Sequence, residues 1–161
     1  NPECEGSSVV RSDEAPGGPK SVAFRSEILF VRIRSSRLEG VTRMLGKVFA
    51  VLYPKRIPVT LAKATESEVC LVIPEEVDGL AEAFDEIRKW AEVTVYRDKS
   101  FIAVIGRDIV GFEGLGDKVI GFSGKVYMAN VGANMMSESF VIDRDRLQVT
   151  LERLHDYIFE Q

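Results

Sequence analysis

The chain has 161 residues, 45% of them hydrophobic and 29% charged, with a formal net charge of -4 at pH 7. Such a length buries one sizeable core or two small ones. The acidic balance, with Arg and Glu intermixed, supplies no basic stripe for nucleic acid, and no apolar run approaches the ~20 residues that a membrane span requires. Of the two cysteines, Cys4 and Cys70, the second lies inside the apolar run Val69 to Ile73 and reads as a small buried hydrophobe. This usage points to a cytoplasmic compartment. The start at Asn1, without Met and in a polar stretch, suggests that an upstream part is missing.

Residues 1–20 carry Gly6-Ser7-Ser8 and Pro16-Gly17-Gly18-Pro19 with few apolar positions and read as a linker. A short strand is predicted over Val22 to Arg25. A second covers Ile28 to Ile33, with Leu29, Val31 and Ile33 on one face. The period then becomes helical through Val41, Met44, Leu45, Val48, Phe49 and Leu52, until Pro54 ends the run. Ile57, Val59 and Leu61 alternate as a strand, and Val69 to Ile73 is a continuous apolar strand. The connection between them, Lys63 to Ser67, is short enough for a hairpin. Val77, Leu80, Phe84 and Ile87 return to helical spacing, with the acidic pair Glu75-Glu76 at the start, where negative charge suits the helix dipole. Val93 and Val95 mark another strand. Residues 28–97 therefore read βαββαβ, the split-βαβ order that places two helices on one face of an antiparallel sheet.

The second half almost repeats this order. Phe101 to Ile105 is a strand, Leu115, Val119 and Phe122 suggest a short helix, and Val126 to Asn130 and Ser137 to Ile142 are strands. A last helix follows, with Asp145 as N-cap, Gln148 three residues on, and an apolar face of Leu147, Leu151, Leu154 and Ile158. This unit is one strand short. Val22 to Arg25 is the only spare strand, so it is expected to complete the second sheet, making the first module an insertion in the second. The fold class is thus α+β, two ferredoxin-like βαββαβ modules. The division is 1–20 linker, 27–98 first module, and 21–26 plus 99–161 second module.

Nothing in the chain forms a catalytic constellation. The single histidine, His155, sits one residue from the apolar stripe of the last helix and reads as a surface or packing residue. No His, Cys, Asp and Glu cluster has metal-ligand spacing. Gly111-Phe112-Glu113-Gly114-Leu115-Gly116 is neither a dinucleotide fingerprint nor a P-loop. It can instead lift backbone N–H groups toward a carboxylate at a helix start. The corresponding place in the first module is Leu38-Glu39-Gly40-Val41-Thr42. Glu66, in the hairpin connection after Thr65, is either a partner for an ammonium group or a solvated turn carboxylate.

These modules resemble paired ACT domains, specifically the regulatory C-terminal part of aspartate kinase. The second module carries most of the likeness, in Val104-Ile105-Gly106-Arg107-Asp108-Ile109, Gly114-Leu115-Gly116 with Val119, Val126-Tyr127-Met128 with Gly132-Ala133, and Ser139-Phe140-Val141-Ile142. Leu154-His155 with Ile158-Phe159-Glu160 is similar to the family's usual ending. In the first module, Ser35-Ser36, Val48-Phe49 and Ile57-Pro58-Val59-Thr60-Leu61 leading to Thr65-Glu66 resemble the lysine-sensitive branch. Asn1-Pro2-Glu3 and Gly6-Ser7 look like the segment that joins the kinase domain to its regulatory part.

The resemblance implies a non-catalytic regulatory region that binds an end-product amino acid where two first modules pair in a homodimer. Feedback inhibition would then act on aspartate phosphorylation, the entry to lysine, threonine and methionine biosynthesis. It places no cofactor in this chain, with ATP and Mg in a kinase domain linked in cis. The implied pocket comprises Glu39, Gly40, Val41, Thr42 and Met44 from the loop and helix start, Val59 and Thr60 from the strand, and Thr65 and Glu66 at its edge. The lysine-sensitive pattern has an aspartate where this chain has Thr60 and a serine where it has Val41, which leaves lysine, threonine or another amino acid open as effector. Two other readings remain: a free-standing tandem-ACT regulator, and a dimerisation module with a vestigial pocket.

Overall fold

The computed structural model describes residues 17–132 and 135–159. Ten principal elements follow in order: β1 (Gly18–Arg34), α1 (Val41–Leu52), β2 (Leu61–Ala64), β3 (Glu68–Pro74), α2 (Leu80–Arg88), β4 (Glu92–Arg107), α3 (Leu115–Ser123), β5 (Val126–Asn130), β6 (Ser137–Asp143) and α4 (Leu147–Phe159). Short 3₁₀ turns at Ile109–Gly111 and Arg144–Arg146 precede α3 and α4. The six strands form one antiparallel sheet in the order β2-β3-β1-β4-β6-β5.

Two long strands account for this joining. The two strands expected around residues 22–25 and 28–33 are one strand, β1. Those expected around Val93 and Phe101 are likewise one strand, β4. Ser26 and Glu27 bend β1 without ending it. The register against β4 shifts between Arg25 and Ile28, Asp98 of β4 takes φ 56°, and the Ser100 hydroxyl donates to the Ser26 carbonyl at 3.0 Å. Extra residues of this kind add local twist and turn a sheet's direction. Val22 to Arg25 lies beside Val104 to Phe101, whereas Ile28 to Arg34 lies between β3 and the Glu92–Lys99 part of β4.

Alternation along the strands builds three cores. Leu29, Val31 and Ile33 pack with Met44, Val48 and Leu52 of α1, Phe84 and Ile87 of α2, and Leu71 and Ile73 of β3. Ile102, Val104, Phe140 and Ile142 pack beneath Leu115, Val119, Leu147 and Leu154 of α3 and α4. The opposite face of the sheet is also buried, since Ile28, Phe30, Val72, Met128 and Val141 form the third core. A sheet with both faces covered here must curl. Its outer strands approach each other where Lys63 Nζ of β2 reaches the Ala129 carbonyl of β5 at 3.5 Å.

Several expected boundaries differ. Gly18, Pro19 and Lys20 belong to β1 and not to a linker: Gly18 and Pro19 pair with Arg107 and Gly106, and the register shifts across Lys20 before Ser21 meets Ile105. The remainder of the expected linker, residues 1–16, lies outside the described residues, as do Cys4, Ala133 and Glu160. The strand expected from Ile57 starts only at Leu61. Pro58 has no N–H to give, and Ile57 is buried in the first core. Glu75 and Glu76 precede α2 by a turn, and Glu75 is held by Arg97 and Arg144. The expected capping pair also gives way. Asp145 sits inside a 3₁₀ turn, and Gln148 donates forward to Glu152 Oε1 at 2.7 Å. His155 packs against Phe159 with ring centroids 5.2 Å apart and planes tilted by 52°.

Candidate functional site

The segment between β1 and α1 is clasped to the β2–β3 turn by backbone hydrogen bonds. Ser35 N–H donates to the Ser67 carbonyl at 2.8 Å, and Glu39 and Gly40 N–H donate to the Glu66 carbonyl at 2.9 and 3.2 Å. The second half repeats the device, with Gly106 and Ile109 N–H donating to the Met136 and Met135 carbonyls at 2.9 and 3.0 Å. Gly40 holds φ at 80° with ψ at 149°, a positive-φ conformation costly to any residue with a Cβ. It turns the chain into α1 with no side-chain cap, and Met44 N–H is the donor to the Gly40 carbonyl. The amides of Val41, Thr42 and Arg43 therefore open the helix, where the dipole favours an anion.

Glu39 does not supply that anion site with charge. Its carboxylate receives Lys47 Nζ at 3.0 and 3.1 Å and the Ser35 hydroxyl at 3.1 Å, with Arg43 Nε at 3.4 Å. The Lys47 bond is the main reason its pKa lies below the ordinary carboxylate value; burial opposes this, and Ser35 and Arg43 reinforce it. Lys47 also stands 3.9 Å over the Trp90 ring, which anchors the network to the body of the first half. The spacing Glu39–Arg43 on the helix entry was legible in the sequence; the reach of Lys47 was not.

Glu66 is exposed, and its carboxylate has no hydrogen bond or ion pair among the described residues. Thr65 has a different task. Its hydroxyl accepts from Glu68 N–H at 3.2 Å, while its own N–H donates to the Glu68 carbonyl at 2.8 Å, closing the turn. Thr60 is exposed and Val59 half-buried, but they lie at the other end of β2, about 13 Å from Ala64 at the ordinary rise of an extended strand. Met44 is fully buried in the first core and offers a ligand no surface. One chain thus gathers Glu39, Gly40, Val41, Thr42, Thr65 and Glu66, and leaves Val59 and Thr60 apart.

The second half also enters its helix through a positive-φ glycine, Gly114 at φ 80° before α3, but with ψ 1° where Gly40 has 149°, and a 3₁₀ turn fills the loop in front of it. Among the described residues no three His, Cys, Asp or Glu side chains gather as a metal site, and no helix is long and apolar enough to cross a membrane. Cys70 is half-buried; its thiol donates to Glu68 at 3.5 Å, and burial, then the Glu68 charge, push its pKa up to about 11.

Paired split-βαβ halves with helices on one face are the architecture of ACT regulatory domains, and the comparisons with solved structures fall there. The chain superposes with a TM-score of 0.69 on the regulatory subunit of aspartate kinase from Thermus thermophilus, covering 88% of this chain and 99% of that one at 14% identity. It superposes with a TM-score of 0.77 on E. coli aspartokinase III in complex with lysine and aspartate, covering 94% of this chain and 35% of that one at 23% identity. The curated relatives are aspartokinases. Aspartokinase 3, chloroplastic, of Arabidopsis thaliana is 27% identical over 176 residues, 99% of this chain and 31% of the relative. The chain therefore spans about a third of the length of the curated relatives it matches. No family model matches it.

Proposed function

We propose that this chain is the regulatory part of an aspartate kinase and that it binds an end-product amino acid, lysine or threonine, for feedback inhibition of aspartate phosphorylation. The observation carrying this reading is co-extension. Chains that are themselves aspartate kinase regulatory subunits match this one along almost their full lengths, to 99% and 97%. ATP and magnesium would belong to a catalytic part in cis. The module division 27–98 and 21–26 plus 99–161 is part of this reading. So is a cytoplasmic setting, which rests on cysteine usage beside relatives named chloroplastic.

The effector site would be completed by a second copy. Val41 and Phe49 of α1 and Tyr53 just after it follow one another at eight- and four-residue intervals, 41%, 37% and 84% exposed, and Leu38 before them is 79% exposed. This apolar stripe supports pairing through the first half. Two-fold pairing brings residue i of one chain to residue j of the other. Val59 and Thr60 of one copy would then approach the loop of the other, across the distance that separates them within one chain. The α-carboxylate would meet the Val41 and Thr42 amides, and Glu66 would receive an ammonium group. Inhibition would follow if the effector prefers one arrangement of the dimer, each tenfold preference corresponding to about 1.4 kcal/mol.

Titrating lysine and threonine calorimetrically, with mass measured by light scattering, tests the proposal. Heat with either amino acid on a dimeric species is expected. A monomer that takes up neither would refute it. Glu66→Ala is expected to weaken a basic effector more than threonine, and equal losses would remove Glu66 from the ammonium role.

A further inference from the structure

A cleft of about 350 Å³ opens on the face of the sheet away from the helices, where β1, β3 and β4 of the first half meet β5 of the second. Its apolar side is a triangle of rings, with centroids 5.7 Å apart for Phe30–Tyr96, 6.0 Å for Phe30–Tyr127 and 5.9 Å for Tyr96–Tyr127. Its polar side holds Arg32, Glu68 and Lys125. The volume lies at the small end of the range typical of small-molecule sites, and the mixture of aromatic wall and few charges is typical of them too.

The charges are not balanced. Arg32 Nη2 donates to the Glu68 carboxylate at 2.6 Å and the Tyr96 hydroxyl also engages the guanidinium, yet the arginine side chain stays 40% exposed and carries more N–H donors than these two partners take. Glu68 is held ionised, chiefly by that arginine bond against the cost of burial. Lys125 Nζ stands 4.4 Å over the Tyr127 ring and has no carboxylate at ion-pair distance among the described residues. Deeper in, Lys99 and Asp143 cancel each other at 2.8 Å. Two cations against one carboxylate leave the lining with one net positive charge, in a chain whose overall charge is -4.

We propose that this cleft binds a small organic monocarboxylate, its ring or chain against Phe30, Tyr96 and Tyr127 and its carboxylate toward Lys125 and the exposed part of the Arg32 guanidinium. A single negative charge matches the surplus, whereas a phosphate monoester would bring nearly two charges against one. An α-amino acid would carry an ammonium group among two cations, with only the already engaged Glu68 to receive it. The cleft is therefore selective against the class proposed for the loop site. Its lining comes from both halves of the chain, so an occupant bridges them.

Cys70 lines the cleft and reports on it. With Cys4→Ser in the full chain, Cys70 is the remaining thiol, and its labelling by a maleimide at pH 8.5 gives the readout. We expect 3-phenylpropionate to slow labelling in a saturable manner, L-phenylalanine to do so far more weakly and 2-phenylethylamine not at all. Lys125→Met, an exposed position whose loss leaves the fold intact, should raise the concentration for half-protection about tenfold, the scale of one charge-assisted contact. Glu66→Ala should change nothing. No protection by 3-phenylpropionate, equal protection by the amine, or protection indifferent to Lys125→Met would each overturn the assignment.

Discussion

Replacing Glu138 by methionine should stabilise this protein, and more so at neutral pH than in acid. Glu138 is the second residue of seven-residue β6 and faces Val104, on the side covered by α3 and α4. The second residue of seven-residue β3 is Val69, facing Ile33 in the first core. A carboxyl group thus occupies a position that is aliphatic in the other half. It is 4% exposed, and Oε2 is buried with no hydrogen-bond partner. Such an unmade bond costs about 1–3 kcal/mol. Burial also pushes its pKa upward. The folded state therefore prefers the protonated acid: that contribution is fully present below the unfolded pKa and is lost as pH rises through the folded one. Each unit of separation adds about 1.4 kcal/mol to the penalty at neutral pH. Methionine keeps the length of the side chain and removes the polar atoms. Urea unfolding of both proteins at pH 7 and pH 4 should show a stability gap of at least about 1 kcal/mol at pH 7 that narrows toward pH 4. Glu39, Glu68 and Asp143 are unchanged in the variant and cancel in the difference. A variant less stable than the parent at pH 7, or a gap independent of pH, would refute the reasoning.

Gly106→Ala should open the second half, because a Cβ there would lie 2.0 Å from the Gly18 carbonyl oxygen. A loss of about 2–4 kcal/mol is expected, with hydrogen exchange accelerated over Val22 to Arg25; unchanged protection of that segment would count against it. Lys99→Met leaves Asp143 without its ammonium partner and should cost about 1–3 kcal/mol at pH 7. Burial of Asp143 raises its pKa, but bonds from Lys99 and Tyr127 outweigh that and hold it low, so the contribution exists above the unfolded carboxylate pKa and vanishes as pH falls through the folded one. The variant should accordingly lose part of the parent's acid sensitivity, as read from unfolding midpoints between pH 2 and pH 6. Glu39→Gln should speed amide exchange from Ser35 to Gly40 while leaving the α2 amides unaffected, since its bonds to Ser35, and to Arg43 and Lys47 of α1, tie the loop to α1 and include no residue of α2.

Hydrophobic periodicity by itself determined most of the elements. The α1 stripe from Val41 to Leu52 and the apolar runs at β3 and at Phe140 to Ile142 of β6 specify a helix and two buried strands whatever they pack against, because a 3.6-residue repeat marks one apolar face and a short continuous apolar run marks a strand covered on both. Periodicity could not tell that Ser26-Glu27 and Asp98-Lys99 bend strands without ending them. A polar pair interrupts alternation equally in a turn and in a bulge, and only the partner strand's hydrogen bonds distinguish the two. Nor could it tell that the far face of the sheet is buried, since Tyr96, Tyr127 and Arg32 read as ordinary solvent-side residues until the curl brings both halves together. The site divides in the same way. The glycine before α1 and the turn after β2 are local and could be found in the sequence. The distance of Thr60 from them, the burial of Met44 and the neutralisation of Glu39 by Lys47 arise from how helix and strands lie against one another, which no local pattern encodes.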